Sequence, residues 1–216
     1  EVRKMVYYQN NEKERKPRLF VDMDGTVAEW RQIKLKIDNE ESISSEHIQK
    51  RIHKILMQPG YFYTLRPHQN VIDAINQIIQ DNKIEVFVLS CCLADDKTTG
   101  VSPEEQKNAW LDKYMPEIDQ SHRIFVPDGQ RKQDYIKNPN SETDFLLDDY
   151  THNLNQWITK ENGIKLLNNV NHTKKTWSGN KVDYLDDAKT IANKITDIIE
   201  NKTKEKEQNL EDERDF

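Results

Sequence analysis

Short apolar runs alternate with helical patterns along most of this chain. Five runs of four to seven residues each end in polar or turn residues, and several are almost continuously apolar. Such runs are typical of strands that are buried on both faces of a parallel sheet. The five predicted strands are Leu19–Asp22, Ile84–Ser90, Arg123–Val126, Phe145–Asp148 and Ile164–Leu167.

Apolar residues at helical spacing lie between these runs. The predicted helical stripes are Val71–Ile79, Trp110 with Tyr114, Leu154–Ile158 and Ala188–Ile199. Ser102 begins a capping box with Glu105, and Pro103 stands at the first helical position. The alternation predicts an α/β fold, with a Rossmann-like five-stranded parallel sheet and helices on both faces.

The interval between the first two predicted strands is unusually long. About 60 residues separate them, whereas a simple unit needs a helix of about 10–15 residues. The excess contains an acidic stretch at 38–41, a helical pattern at 48–56 and three aromatic residues at 61–63. We therefore expect a small helical cap inserted after the first strand.

The sequence predicts four regions. They are a polar leader at 1–17, a core domain formed by 18–29 and 67–199, a helical cap at 30–66 and a charged tail at 200–216. The tail is interpreted either as a solvated extension of a helix or as a disordered segment.

The composition is more polar than that of a typical globular protein, with 32% charged and 35% hydrophobic residues. The four Trp, eight Tyr and six Phe nevertheless argue against a chain that is disordered throughout. A net charge of −6 disfavours a protein that holds polymeric nucleic acid through many phosphate contacts.

Three features of the sequence bear on where in the cell the protein is expected to be. No apolar run approaches the about 18 residues of a membrane span, so we expect no membrane partner. The sequence does not open with a charged segment followed by an apolar one, so we find no support for secretion. Cys91 and Cys92 are the only cysteines; because they are adjacent they cannot staple distant segments, and we expect a reducing compartment, most simply the cytoplasm.

Two aspartates follow the first predicted strand. Asp22 and Asp24 lie on the same side of an extended chain, and Gly25 permits a sharp turn after them. Open α/β sheets bind ligands at the carboxyl ends of their strands, where two acids are costly unless they bind a cation or do chemistry. The alternative is a turn with two solvated aspartates. A calcium loop is excluded, because its twelfth position is Ile33 and not Glu.

Further polar side chains follow the other predicted strands. Ser90 ends the second strand, Lys132 follows the third, and Asp148 with Asp149 ends the fourth. These strand ends meet at one edge of a parallel sheet. Carboxylates for a divalent cation, a hydroxyl and an ammonium form the set that phosphoryl transfer needs, because positioning and charge neutralisation dominate that reaction.

These motifs resemble the haloacid dehalogenase (HAD) superfamily of phosphatases, whose signature is Asp-x-Asp-Gly-Thr/Val. Within it, the chain looks most like the 5′(3′)-deoxyribonucleotidases, the cytosolic type C nucleotidases. The resemblance runs from about residue 18 to 180. The segments that carry it are Asp22–Trp30, Pro59–Pro67, Lys107–Tyr114, Leu146–Asp149, Gly163–Ile164 and Trp177–Gly179.

The resemblance implies a Mg²⁺-dependent phosphomonoesterase that acts on nucleoside monophosphates, deoxyribonucleotides among them. Asp22 would be the nucleophile that forms an aspartyl-phosphate, and Asp24 would act first as acid and then as base. The implied Mg²⁺ ligands are the Asp22 carboxylate, the Asp24 backbone carbonyl and a carboxylate of the pair Asp148 and Asp149, either of which would be the direct ligand. The implied phosphate-binding residues are Thr26, Ser90, Cys91, Lys132 and Lys107. Lys132 is favoured over Lys107, and a solvated surface lysine is the alternative for each.

The chain departs from this branch at two places. The usual Thr-Ser-Pro after the second strand is replaced by Ser90-Cys91-Cys92, and Tyr150 stands where the branch often has Arg. Both changes leave the phosphatase chemistry intact but leave the substrate open.

The resemblance places two aromatic residues against the substrate. Trp30 stands where the branch has an aromatic that stacks on a nucleobase, and Phe62 would complete an apolar slot. Alternatively, the cap aromatics seal the cap against the core. A phosphatase for another small phosphomonoester, such as a sugar phosphate, and a non-catalytic binding protein are the alternative functions. The oligomeric state is open, with a homodimer as one option.

Overall fold

A computed structural model describes residues 15–30, 45–172 and 176–214. Most of the predicted leader, the acidic stretch and the rest of cap residues 31–44 lie outside the described residues. Within the described ranges the strands form one six-stranded parallel sheet in the order β3-β2-β1-β4-β5-β6. The strands are β1 Arg18–Val21, β2 Glu85–Cys92, β3 Arg123–Pro127, β4 Asp144–Asp148, β5 Gly163–Leu167 and β6 Asn180–Asp183.

Helices cover the sheet and occupy the predicted intervals. They are α1 Ser45–Leu56, α2 Gln69–Asp81, α3 Pro103–Tyr114, α4 Thr151–Asn155 and α5 Ala188–Arg214, with short 3-10 helices at Gln120–His122, Lys132–Tyr135 and Lys160–Asn162. However, α4 ends at Asn155, so Trp157 and Ile158 of the predicted helical stripe lie after the helix. The start of α3 follows the predicted cap, because the Ser102 hydroxyl accepts a hydrogen bond from the Glu105 backbone N–H at 3.3 Å. None of the helices in the described ranges is long and apolar enough to cross a membrane.

The α/β class and the parallel sheet agree with the prediction, but the count of five strands was wrong. The missing strand is β6, which among the described strands pairs only with β5 and so lies at an edge of the sheet. Its sequence, Asn-Lys-Val-Asp, carries one buried apolar side chain, Val182. An edge strand of this kind is defined by backbone pairing and leaves no apolar run to recognise.

The tail was predicted either as a helix extension or as a disordered segment. Helix α5 continues through residue 200 to Arg214, so the structure has the helix extension.

The sheet is buried on both faces, as the continuous apolar runs predicted. Leu19 and Val21 pack with residues of α2, α3 and α5 on one face. Phe20 points to the other face, where it packs in a second cluster that includes Trp157 and Trp177. Successive side chains of β1 therefore enter different cores, and all four residues of the strand are buried.

A buried ion pair joins the amino-terminal ends of β1 and β4. The Arg18 guanidinium donates to both carboxylate oxygens of Asp144, at 2.7 and 2.6 Å. These two residues are partners in the strand register. A bidentate pair has a demanding geometry, so it helps to hold the register that brings Asp22 beside Asp148 at the opposite end.

Candidate active site

Lys132 bridges two of the predicted acids. It lies in the 3-10 helix after β3 and is only 4% exposed. Its Nζ lies 2.7 Å from Oδ1 of Asp22 and 2.6 Å from Oδ2 of Asp148. Burial opposes the charge of the ammonium, but Asp148 and Asp22 outweigh it and hold the pKa of Lys132 above its ordinary value. Lys132 is therefore a charged part of the acidic cluster and not a solvated surface residue.

Lys107 contacts Asp24, the other predicted catalytic aspartate. It lies on α3, is 1% exposed, and its Nζ lies 2.6 Å from Oδ2 of Asp24. The same ammonium donates to the Ser90 hydroxyl at 3.1 Å and to the Cys91 carbonyl. The surface alternative is excluded for Lys107 too. The two candidate lysines thus do not compete for one position, because each contacts a different aspartate.

Asp24 is a buried carboxyl group whose pKa lies above its ordinary value. Burial raises the pKa of Asp24 and the charge of Asp22 adds to the effect, whereas Lys107 opposes it. Its Oδ2 is held by Lys107, while the buried Oδ1 has no hydrogen-bond partner among the described residues. A protonated Oδ1 could donate to a group that enters the site.

Three carboxylates form a compact group suited to a divalent cation. One oxygen from each of Asp22, Asp148 and Asp149 lies within 4.8 Å of the others. Burial raises the pKa of Asp148 to about 6. Burial, together with the charges of Asp148 and Asp22, also raises the pKa of Asp149 well above its ordinary value. The two neighbouring carboxylates therefore disfavour the charged form of Asp149, and the oxygen-only donor set of the three residues fits Mg²⁺.

Two asparagines that the sequence analysis missed hold Asp149 in place. The Asn168 amide donates to Oδ2 of Asp149 at 2.9 Å and to the Gly25 carbonyl at 2.7 Å. The Asn171 amide donates to the Asp149 carbonyl at 3.0 Å. Asn168 directly follows β5, so the rule that found the other strand-end residues would have found it as well.

Two further hydrogen bonds to Asp148 come from residues that follow it closely in the chain. The Tyr150 backbone N–H donates to Oδ1 of Asp148 at 2.8 Å, and the Asn153 amide donates to Oδ2 at 3.0 Å. With Lys132, both oxygens of this buried carboxylate are satisfied. Asp148 is therefore fixed in orientation, as a metal ligand must be.

A cavity of about 740 Å³ opens over this edge of the sheet. The predicted site residues that line it are Asp22, Asp24, Trp30, Cys91, Lys132 and Asp149. Burial raises the pKa of the Cys91 thiol, so this side chain lines the cavity as a neutral group.

Other predicted site residues lie behind the cavity wall. Ser90 and Lys107 are buried and contact each other, and the Phe62 ring centroid lies 4.8 Å from the Lys107 ammonium. Thr26 is also buried, and its hydroxyl has no hydrogen-bond partner in the described part of the chain. The structure thus brings Trp30 to the cavity but packs Phe62 against a site lysine.

Comparison with known families adds an independent finding. The sequence model described as "5′ nucleotidase, deoxy (Pyrimidine), cytosolic type C protein" matches residues 16–194. The match covers more than four fifths of the chain and includes every predicted site residue. No curated protein matches the chain.

Proposed function

Since the chain belongs to the cytosolic type C 5′-nucleotidase family, we propose that it hydrolyses nucleoside monophosphates with Mg²⁺ through an aspartyl-phosphate on Asp22. Members of this family are phosphoric monoester hydrolases that remove phosphate from nucleotides. The finer mechanism is carried by one observation: Asp22 and Asp24 each have their own buried lysine, at 2.7 and 2.6 Å.

These contacts support different roles for the two aspartates. Asp22 contacts the Lys132 ammonium at 2.7 Å and belongs to the group of three carboxylates, which suits the nucleophile that attacks phosphorus. Burial raises the pKa of Asp24, which favours the protonated form that can donate to the leaving oxygen. The two environments thus separate a nucleophile from an acid, although the residues are only two positions apart.

The proposed reaction has two steps. In the first, a carboxylate oxygen of Asp22 forms a bond to phosphorus, the ester bond breaks, and the leaving alcohol takes the proton of Asp24. In the second, Asp24 accepts a proton from water, which attacks the phosphorus and releases inorganic phosphate from Asp22. Asp24 ends protonated and Asp22 ends as a carboxylate, so both residues return to their starting forms.

Asp22, Asp148 and Asp149 would hold Mg²⁺, and the backbone carbonyl of Asp24 is the further ligand that the family resemblance implies. The ion would supply positive charge that neutralises the phosphate oxygens and the three carboxylates. Asn168 would keep Asp149 oriented toward the other two acids through its 2.9 Å hydrogen bond.

The substrate is proposed to be a deoxyribonucleoside monophosphate with a pyrimidine base. The family description names deoxy and pyrimidine compounds, and Trp30 lines the cavity together with Asp22. An indole at this wall offers a face on which a base can stack, which contributes about 1–3 kcal/mol per base.

A substrate panel tests the proposed activity. Purified protein with Mg²⁺ is offered deoxyribo- and ribonucleoside monophosphates, sugar phosphates and an aryl phosphate, and phosphate release is measured. We expect release from nucleoside monophosphates, loss of it in Asp22→Asn, and full activity in Asp197→Asn, an exposed position on α5. Hydrolysis of sugar phosphates alone would replace the nucleotidase proposal with a sugar phosphatase.

An aryl phosphate also separates the two roles of Asp24. Nitrophenolate leaves without an acid, so Asp24→Asn should still phosphorylate Asp22 but should not hydrolyse the phosphoenzyme. Rapid mixing should then show a stoichiometric burst of nitrophenolate with little turnover after it. Steady turnover at the wild-type rate would contradict the role of Asp24 as base.

A further inference from the structure

Lys165 is a second buried lysine that lines the cavity, beside Lys132, and the reaction described above does not use it. It lies on β5, is only 2% exposed and lines the same cavity as Asp22 and Asp24. Its neighbours Ile164 and Leu166 are fully buried in the core on the opposite face. A methionine or leucine would fill this strand position without the cost of burying an ammonium.

The strand register locates Lys165 relative to the reacting centre. Lys165 is the partner of Asp148 across β4 and β5, and Leu147 is the partner of Val21 across β4 and β1. Asp22 therefore continues the same row. Because neighbouring strands lie about 4.8 Å apart, the backbones of Lys165 and Asp22 are about 10 Å apart. Residues in register point to the same face of a sheet, so the side chains of Lys165 and Asp22 lie on the same face.

Two hydroxyls adjoin the Lys165 ammonium. Lys165 donates to the Thr151 hydroxyl, which lies 3.0 Å from the Thr176 hydroxyl. Thr151 and Thr176 both line the cavity. One ammonium and two hydroxyls in one corner are donors that match the oxygens of a phosphate.

We propose that Lys165, Thr151 and Thr176 bind a second phosphate of the substrate, so that the enzyme prefers nucleoside 3′,5′-bisphosphates to nucleoside 5′-monophosphates. The inference rests on the proposed function, because it assumes that the first phosphate is attacked at Asp22. The Lys165 backbone lies two strands from Asp22, and its ammonium lies at the Thr151 hydroxyl. A cavity of about 740 Å³ is in the size range that encloses a whole small-molecule ligand.

The experiment compares two substrates that differ only in the second phosphate. The values of kcat/KM are measured for deoxyuridine 5′-monophosphate and deoxyuridine 3′,5′-bisphosphate, and the products are identified. We expect the wild type to prefer the bisphosphate by about 10- to 100-fold, the usual effect of a hydrogen-bonded charged group, and to release its 5′-phosphate.

The variants assign this preference to the proposed corner. In Lys165→Met the preference should fall to near unity, and in Lys165→Arg, which keeps the charge, most of it should remain. Lys181→Met is the matched control, because Lys181 is the exposed register partner of Lys165 on β6, and it should keep the wild-type preference. If Lys165→Met does not fold, Thr151→Val replaces it and should lower the preference.

The outcomes separate the two proposals. A wild type that hydrolyses the monophosphate and shows no preference for the bisphosphate overturns the subsite and leaves the nucleotidase proposal standing. A preference that survives in folded Lys165→Met or Thr151→Val also overturns the subsite. A wild type that hydrolyses neither compound, but folds and binds Mg²⁺, overturns the proposed function and the inference with it.

Discussion

The Lys107 ammonium lies 2.6 Å from Oδ2 of Asp24, although the two residues are 83 positions apart in the chain. The contact ties α3 to the loop after β1. It also opposes the effect of burial, which raises the pKa of Asp24. Because the same ammonium donates to Ser90, it couples the acid to the end of β2. Lys107 therefore both orients Asp24 and limits how far burial shifts its pKa.

Loss of this contact should slow the reaction. In Lys107→Met we expect kcat to fall by about 10²- to 10³-fold, the usual effect of removing one positioned donor from a catalytic site. Lys113→Met is the control, because Lys113 lies at the end of the same helix and away from Asp24. Steady-state kinetics on a nucleoside monophosphate checks this, and an unchanged kcat in folded Lys107→Met would contradict it.

Gly25 leaves no room for a side chain beside Asp149. A Cβ at this position would lie 2.6 Å from Cγ of Asp149, and the backbone has φ +83°. Gly100 has a similar φ of +72° but nothing within 4 Å of its Cβ position. Both Ala variants therefore carry backbone strain of roughly 1–3 kcal/mol, but only Gly25→Ala displaces a carboxylate.

We expect Gly25→Ala to lose about 10²-fold or more in kcat/KM, as small misplacements at reacting centres do. Gly100→Ala should keep its activity while losing a similar free energy of unfolding. Denaturant unfolding and kinetics on both variants check this prediction. Equal losses of activity would mean that strain, and not the contact with Asp149, is responsible.

Asn168 should control the affinity of the site for its cation. In Asn168→Ala we expect the dissociation constant of Mg²⁺ to rise by about 10- to 100-fold, as it does when a residue that orients a metal ligand is removed. Titration calorimetry without substrate measures this directly.

Asn162 is the matched control for Asn168. Asn162 is equally buried, and its amide donates to the backbone carbonyls of Ser141 and Asp144. None of these contacts involves the three carboxylates that would hold Mg²⁺. Asn162→Ala should lower the free energy of unfolding by about 1–3 kcal/mol and leave Mg²⁺ binding unchanged. Equal Mg²⁺ affinities in the two variants would refute the role of Asn168.

His122 should make stability depend on pH. A hydrogen bond to Asp119, with Glu85 contributing, raises the pKa of His122 against a smaller opposing effect of burial. The protonated form is therefore favoured in the folded state. Its contribution is fully present below the unfolded pKa of about 6.5, and it is lost as the pH rises through the higher pKa of the folded state.

The test compares the unfolding free energies of wild type and His122→Gln. The wild-type advantage should be larger at about pH 6 than at about pH 9, because the unfolded pKa lies near 6.5. The tilted ring contact between His122 and Phe87, with centroids 4.7 Å apart, contributes at both pH values. An advantage that does not change with pH would show that only packing matters.

Much of the fold followed from local patterns. The four inner strands β2, β1, β4 and β5 were recognisable because burial on both faces makes them largely apolar, as in Phe145–Leu147. The start of α3 was recognisable because a cap needs specific residues at Ser102 and Pro103. Strand β6 was missed because Asn-Lys-Val-Asp contains a single apolar residue, whereas the other edge strand, β3, contains the apolar run Ile124–Val126.

The sequence by itself determined the α/β class and the collection of Asp22, Asp24, Lys132 and the Asp148–Asp149 pair at one sheet edge, because parallel strands direct their carboxyl ends the same way. Only the tertiary structure decided that Lys132 holds Asp22 while Lys107 holds Asp24, and that Phe62 packs behind Lys107. It also decided that Asn168 bridges Gly25 and Asp149. These are contacts between side chains far apart in the chain, and their partners depend on how strands, helices and loops pack together.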